Sequence, residues 1–143
     1  MPHYSIILAA LDLSPDSVTV IDRAKRLCEG DWSRLHLVHV AERPVTALGS
    51  ATGKNHRHGE LQVRQEIYPE LHQLVEGITL PPDHFHIVFG DPASEITYLA
   101  DKLGAEIIVS GSHGETAIKR LLGSTASDII HEAHCDVLTV RIR

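Results

Sequence analysis

A glycine- and serine-rich segment near the end of the chain has the composition of a phosphate-binding loop. Residues 111–124 are GSHGETAIKRLLGS, with Gly111 and Gly114 at one end and Gly123 and Ser124 at the other. Glycine lets a backbone approach a ligand closely, and the free amides at the start of a helix attract anions. The segment predicts a phosphate clamp in two halves. A plain turn followed by a helix cap at Ser124 is the alternative interpretation.

Asp12 is a second candidate, because it ends the apolar run 6–11. Its carboxylate could accept hydrogen bonds from a ribose or hold Mg²⁺, or it could accept them from the backbone amides of its own turn. Lys119 and Arg120 could neutralise phosphates, although a basic pair on a helix is typical of a solvated face. Each of these residues therefore has a functional and a structural interpretation.

Strands and helices that alternate along the chain must position these residues. Apolar runs typical of buried strands span residues 4–12, 35–41, 85–89, 105–110 and 137–142. Four stretches between them carry apolar residues at helical spacing, with Val18 on the buried stripe of the first and Ile130 on that of the last. Ser14 and Asp91, each before a proline, predict the starts of the first and third helices. Pro69 predicts either the start of the regular part of the second helix or a kink in it.

This order of elements predicts a doubly wound α/β fold, with five parallel strands and helices on both faces. With 143 residues, the chain is too short for two cores, so we expect a single domain over residues 1–143. Ligands of such sheets bind at the carboxyl ends of the strands. The one long irregular stretch, from Glu42 to Gly59, is either a lid or an idle insertion, and the role of its loop Arg43 to His58 stays open.

Composition argues against several classes of protein. A net charge of -6 gives no electrostatic footprint for nucleic acid, and the apolar run 6–11 is too short to span a membrane. The two cysteines form no Cys-x-x-Cys pair, which fits a reducing cytoplasm. We expect no metal site, because no third ligand is tied by spacing to His84 and His86, which we interpret as lying on a wet strand face. Without a phosphate loop, nucleophile elbow or ordered triad, we expect no catalytic residue.

Six segments of the chain resemble the universal stress protein family. They are IILAALDLSPDS, LHLVHVAE, GDPASEI, AEIIVSGSHG, GSTASDII and CDVLTVRI, and the match that they define runs over nearly the whole chain, with only the long loop unmatched. As an ordered set these motifs are specific, although each one singly is weak. The resemblance implies an adenine-nucleotide alpha-hydrolase-like fold with strand order 3-2-1-4-5. It also implies a cytoplasmic homodimer that serves stress resistance.

The resemblance implies a binding site for ATP or a related adenine nucleotide, with Mg²⁺. Members that bind ATP carry Gly, two residues, Gly, nine residues, then Gly and Ser or Thr. This chain has the four residue types at Gly111, Gly114, Gly123 and Ser124, but only eight residues separate the second and third glycines. The missing residue could be absorbed by the loop, or it could rotate Gly123 and Ser124 away from the phosphates.

Further site residues follow from the same resemblance. It implies Asp12 at the ribose and the backbone of Val40 at adenine. The remaining residues carried over onto the site are Ala10, Leu11, Ser110 and Thr125. Ala10 and Leu11 depart from the small polar or proline residues that many members have, and the opening DLSPDS is similar to the branch that binds no nucleotide.

The same residues are compatible with two other functions. A nucleotide-free interaction protein of the same fold would use the glycines only as turns. Slow ATP hydrolysis or self-phosphorylation would need an acceptor or base, for which proximity offers Ser112, His113, Ser124 and Thr125. The predicted last strand, Val137 to Ile142, is an apolar sheet edge, and such edges pair with another chain unless blocked, so we expect a homodimer there.

Overall fold

In a computed structural model, the chain forms a five-stranded parallel sheet and a separate two-stranded antiparallel hairpin. The structure describes residues 3–42, 45–46, 49–50, 53–112 and 124–142. The main sheet contains β1 (Ile7–Ala10), β2 (Leu35–Ala41), β5 (Phe85–Phe89), β6 (Ile107–Gly111) and β7 (Asp136–Val140), and the hairpin is β3 (Val45–Thr46) with β4 (Gly49–Ser50). The helices are α1 (Ser17–Cys28), α2 (Gly53–Leu74), α3 (Pro92–Leu103) and α4 (Ser124–Glu132).

The strands of the main sheet lie in the order β5-β2-β1-β6-β7, and all neighbouring pairs are parallel. Counted within this sheet alone, the order is 3-2-1-4-5, which confirms the prediction. The central strand is β1, where Ile7, Leu8 and Ala9 are each 0% exposed. Its continuous apolar run therefore reflects burial on both faces.

The helices cover the two faces of the sheet in pairs. α1 and α2 contact each other and pack against the face that includes Ile7 and Leu37. α3 and α4 contact each other and pack against the opposite face, which includes Leu8 and Val38. Successive side chains of a strand point to opposite faces, so each strand contributes to both clusters. The predicted doubly wound architecture is confirmed.

The predicted boundaries of α3 are confirmed by their hydrogen bonds. The Asp91 side chain accepts a hydrogen bond from the Ser94 amide at 3.1 Å, with Pro92 at the first helical position. At the other end Gly104 has φ 72 and its amide donates to carbonyls of the last turn. This left-handed conformation costs glycine little, so the residue stops the helix.

The predicted cap of the first helix is wrong. α1 begins at Ser17, and the Ser14 hydroxyl donates to the carboxylate of Asp12 at 2.7 Å instead of capping the helix. Residues 14–16 form the turn that leads into α1. α4 is described from Ser124 onward. The residue before it and the side chain of Ser124 lie outside the described structure, so the predicted cap there stays a prediction. The difference at α1 is a shift of a boundary within the correct element.

Two residues predicted to be buried are exposed. Val18 is 54% exposed on α1 and Ile130 is 55% exposed on α4. The buried stripe of α1 begins one residue earlier than expected and comprises Ser17, Val20, Ile21, Ala24 and Cys28. Val18 lies about 100° around the helix from Ser17 and therefore faces solvent.

The stretch from Glu42 to Gly59 is not one irregular loop. It contains the hairpin of β3 and β4, and its last residues belong to α2, which begins at Gly53. Pro69 lies inside α2, so of its two predicted roles the start of the regular helix is wrong, and the kink stays a prediction. No helix among the described residues combines the length and apolarity needed to cross a membrane.

Three histidines form a half-buried cluster where the sequence predicted a wet strand face. The Nδ1 of His36 on β2 lies 3.0 Å from the Nε2 of His86 on β5. The ring of His84 stacks on that of His36 with the centroids 3.8 Å apart, and its Nδ1 donates to the Leu35 carbonyl at 2.8 Å. Within the described ranges, no three His, Cys, Asp or Glu side chains are placed to hold a metal ion.

Burial and mutual repulsion oppose protonation of His36 and His86. Burial, followed by the charges of His84 and His86, lowers the pKa of His36 from 6.5 to about 4, while Asp83 acts in the opposite direction. Burial and the His84 charge also lower the pKa of His86, with a further lowering by Lys102 on α3 and an opposing effect of Asp83. His36 and His86 are therefore uncharged when the protein is folded at neutral pH.

We expect the cluster to make the fold sensitive to acid. The folded-state pKa of His36 lies below its ordinary value, so its contribution to stability is present above pH 6.5 and is lost as the pH falls towards about 4. Urea denaturation across this range should show a steeper loss for the wild type than for His36→Phe, which keeps the ring stack but cannot take up a proton. His131→Gln, a change at an exposed histidine, is the control. Parallel pH profiles for wild type and His36→Phe would contradict this account.

Candidate functional site

The carboxyl ends of β1, β2 and β6 meet at one edge of the sheet, where the chain leaves β1 for one face and arrives at β6 from the other. This point is the topological switch at which open α/β sheets bind ligands. Ala10 and Val40 are half-buried here and pack with the cluster beneath α3 and α4. Ser110 follows Ile108 by two positions on β6, so it points to the same face. The structure thus brings three predicted site residues to one place.

Asp12 forms a turn directly after β1. Its Oδ1 accepts hydrogen bonds from the Ser14 amide at 3.0 Å, the Ser14 hydroxyl at 2.7 Å and the Ser17 hydroxyl at 3.2 Å. Leu13, which lies between Asp12 and Ser14, has φ 64. The structural interpretation of Asp12 is therefore correct for one carboxylate oxygen. Oδ2 has no hydrogen-bond partner in the part of the chain that the structure describes, and the residue is exposed.

Leu11 is 5% exposed and is tied to β2 by both of its backbone groups. Its amide donates to the Val38 carbonyl at 2.9 Å, and its carbonyl accepts from Nδ1 of His39 at 2.8 Å. Sequence analysis did not single out His39. The available signal was a second histidine near the carboxyl end of β2, one residue before a predicted site residue.

Ser110 carries a buried polar atom with an unused hydrogen bond. The residue is 5% exposed, and its Oγ has no partner among the described residues. A buried hydroxyl without a partner is costly and uncommon, because buried polar groups in proteins are nearly always paired. At a topological switch point, such a group indicates a place where a ligand supplies the partner.

Gly111 serves packing within the sheet, and its backbone is not in the left-handed region. A Cβ at this position would lie 3.3 Å from the side chain of Ile142 and 3.6 Å from that of Val20. The neighbouring Ser112 donates its amide to the Val140 carbonyl at 2.8 Å, and its Oγ accepts from the Ile142 amide at 3.0 Å. These contacts tie the end of β6 to the end of β7.

The rest of the predicted clamp is only partly described. Gly114 and Gly123 lie outside the described residues, as do His113, Lys119 and Arg120. Ser124 opens α4, and Thr125 is half-buried in its first turn. The eight-residue spacing between the glycines is therefore a matter for experiment.

Comparison with known proteins assigns the chain to a family. The sequence model described as "Universal stress protein family" matches residues 3–141. Universal stress protein A homolog 1 of Coxiella burnetii is 38% identical over 139 residues, which cover 96% of either chain. The chain belongs to the universal stress protein family.

Solved structures share the fold. The protein named MJ0577 matches with a TM-score of 0.78 at 23% identity, covering 99% of both chains. A universal stress protein in complex with cAMP matches with a TM-score of 0.59 at 23% identity over 97% of this chain and 98% of that one. One from Archaeoglobus fulgidus in complex with dAMP has a TM-score of 0.56 at 20% identity, over 99% of this chain and 100% of that one. The fold is the adenine-nucleotide alpha-hydrolase-like fold of this family.

We expect substitutions of Asp12 to separate its two roles. Asp12→Ala removes the acceptor of three hydrogen bonds and leaves the buried Ser17 hydroxyl unpaired, which should lower the free energy of unfolding by about 1–2 kcal/mol. Asp12→Asn keeps an acceptor oxygen in the turn and should cost less than half as much. Urea denaturation of both variants measures the difference. Equal losses for Ala and Asn would contradict the role of Oδ1 as the acceptor in this turn.

Proposed function

We propose that this chain is a single-domain, cytoplasmic universal stress protein that forms a homodimer and binds ATP or a related adenine nucleotide with Mg²⁺. It acts as a stress-response binding module and not as an efficient enzyme. Family membership and the placement of Asp12, Val40 and Ser110 at the switch point support this proposal. Two solved neighbours of the same fold hold adenine nucleotides, cAMP in one and dAMP in the other.

The unpaired hydroxyl of Ser110 is the observation that carries the proposal. It lies on the face of the sheet that also carries Ala10 and Val40, at the end of the strand that leads into the glycine-rich segment. A ligand group with a lone pair or an N–H or O–H donor would satisfy this hydroxyl. A ribose or phosphate oxygen meets that requirement.

The other residues have complementary parts in the proposed site. The Oδ2 of Asp12 is available to a ribose hydroxyl or to Mg²⁺, while its Oδ1 holds the turn. Adenine lies against the backbone of Val40, with Ala10 and Leu11 lining the site. The phosphates lie among Gly111, Gly114, Gly123, Ser124 and Thr125, where the amides at the start of α4 face the anion.

Replacing Ser110 should move stability and affinity in different directions. Ser110→Ala removes a buried hydroxyl that has no partner among the described residues, so the nucleotide-free protein should be as stable as the wild type or slightly more stable. Affinity for ATP should fall about 3- to 10-fold, because the hydrogen bond to the ligand is lost. Calorimetric titration with ATP and Mg²⁺, together with urea denaturation of the stripped protein, measures both quantities.

Thr19→Ala, on the exposed side of α1, is the matched control. Ser94→Ala on α3 would be unsuitable, because Ser94 belongs to the cap of that helix. Thr19→Ala should change neither the affinity nor the stability appreciably. If Ser110→Ala binds ATP as tightly as the wild type, Ser110 does not contact the ligand. If the wild type binds no adenine nucleotide, the proposed function is wrong.

A nucleotide-free interaction protein is the second candidate. It is favoured by the engagement of Asp12 Oδ1 with three donors and by the packing of Gly111 against Ile142, since both residues have structural reasons for their identity. In that case the outer surface of the protein carries the function. The calorimetric result for the wild type separates the two candidates directly.

The two edges of the main sheet differ in a way that supports a dimer through β7. At the β5 edge, the guanidinium of Arg64 on α2 donates to the Ile87 carbonyl at 2.5 Å and lies 5.1 Å from the centre of the Phe89 ring. This contact occupies a backbone acceptor that another strand would need. At the β7 edge, the described residues include no comparable side-chain contact to the backbone of Val137 or Thr139.

The outward backbone groups of β7 can be identified from its ladder. The Asp136 amide donates to the Glu106 carbonyl, and the Val140 carbonyl accepts from the Ser112 amide, so both residues bond towards β6. Residues of a parallel strand bond alternately to either side. The amides of Val137 and Thr139 therefore point outward, where the second copy pairs in the proposed homodimer.

Thr139→Pro should convert the dimer into a monomer. Proline removes the outward amide of Thr139 and leaves the inward ladder to β6 intact, as edge strands tolerate. Thr139→Val keeps the amide and is the matched control. Sedimentation equilibrium measures the mass of each protein. A Thr139→Pro variant that stays folded and dimeric would exclude pairing through this edge.

A further inference from the structure

The ladder between β1 and β2 ends one hydrogen bond earlier than the strand geometry allows. Leu11 donates its amide to the Val38 carbonyl at 2.9 Å. In a regular parallel ladder, the next hydrogen bond would run from the Val40 amide to the Leu11 carbonyl. That bond is not among the hydrogen bonds of the described residues. The Leu11 carbonyl instead accepts from Nδ1 of His39 at 2.8 Å.

Because the donor to the Leu11 carbonyl is His39 and not the Val40 amide, the backbone of Val40 is not paired with β1. Residues Leu35 and Ala41 of β2 bond towards β5 through their carbonyls, to His84 and Gly90. Val38 bonds towards β1, and by alternation so do the amide and carbonyl of Val40. Beyond Leu11, the chain turns away at Leu13, which has φ 64. The amide and carbonyl of Val40 therefore face the gap past the end of β1, which is the switch point.

We infer that His39 is a positioning residue of the nucleotide site: its bond to the Leu11 carbonyl ends the β1–β2 ladder and keeps the Val40 backbone available to the nucleobase. An adjacent donor and acceptor match the edge of adenine, which carries an acceptor at N1 and a donor at N6. The same bond also fixes the peptide that precedes Asp12. The identity of the ligand in this inference rests on the proposed function, whereas the role of His39 in the ladder does not.

The tautomer of His39 follows from this contact. A carbonyl oxygen can only accept, so Nδ1 carries the hydrogen that is donated to Leu11. Asparagine places an N–H donor close to the position of Nδ1, whereas leucine offers a similar bulk without any donor. The pair His39→Asn and His39→Leu therefore separates the hydrogen bond from the volume of the side chain.

Amide hydrogen exchange of the nucleotide-free protein tests the ladder directly. In His39→Leu the Leu11 carbonyl is free to accept the Val40 amide, so we expect exchange at Val40 to slow by about 10-fold or more. In the wild type and in His39→Asn, the same amide should exchange rapidly. Equal Val40 exchange in wild type and His39→Leu would overturn the inference.

Calorimetry with ATP tests the consequence for the ligand. His39→Leu should bind about 10-fold more weakly than the wild type, and His39→Asn within about 3-fold of it. A merely structural role would lower the thermal stability of His39→Leu without slowing exchange at Val40, and that pattern would also overturn the inference. If the wild type binds no nucleotide while exchange at Val40 changes as expected, the proposed function fails and the ladder role of His39 stands.

Discussion

The hydrogen bond that closes the end of β1 is the contact on which the candidate site depends. A central strand that is buried on both faces must stop pairing abruptly if it is to leave room for a ligand at its carboxyl end. Here the stop is made by the His39 imidazole, which bonds to the Leu11 carbonyl in place of the Val40 amide. The turn at Asp12 then carries the chain out of the sheet. Both devices leave polar groups pointing into the space between β1, β2 and β6.

Some polar groups at this carboxyl edge stabilise the fold, and others are available to a ligand. Asp12 uses one carboxylate oxygen for its own turn, and Ser112 uses its hydroxyl to hold the Ile142 amide. Ser110 differs, because its hydroxyl is buried and has no described partner. A fold tolerates such a group when ligand binding repays its cost. The distribution of satisfied and unsatisfied groups is therefore a better indication of the site than the glycines, whose identity can follow from packing alone.

The fold was predictable from the sequence because its signals are local and repeated. The apolar run of β1, the Asp91 cap and Gly104 each follow from burial or backbone geometry within a few residues. The start of α1 was predicted wrongly because a neighbouring side chain engages the predicted cap. Ser14 has the chemistry of a cap, but Asp12 recruits its hydroxyl and the helix begins later.

The candidate site was less predictable, since its decisive contacts join different strands. No spacing rule connects His39 with Leu11, or His36 with His86, because the register of the strands determines those pairs. The resemblance to the family gave the positions of Asp12, Val40 and Ser110, whereas the role of His39 required the ladder. Burial was misjudged for the same reason. His84 and His86 were interpreted as exposed, because their stacking with His36 depends on how β2 lies beside β5.

The central claim is that this universal stress protein carries an adenine nucleotide at the carboxyl ends of β1, β2 and β6. Mass spectrometry of the small molecules released when the natively purified protein is denatured tests it most directly. The account predicts an adenine nucleotide at close to one per chain, and a smaller amount per chain from the double variant Asp12→Asn, Ser110→Ala. Release of no adenine nucleotide, joined with no heat of binding on addition of ATP and Mg²⁺, would contradict the account and place the function on the outer surface.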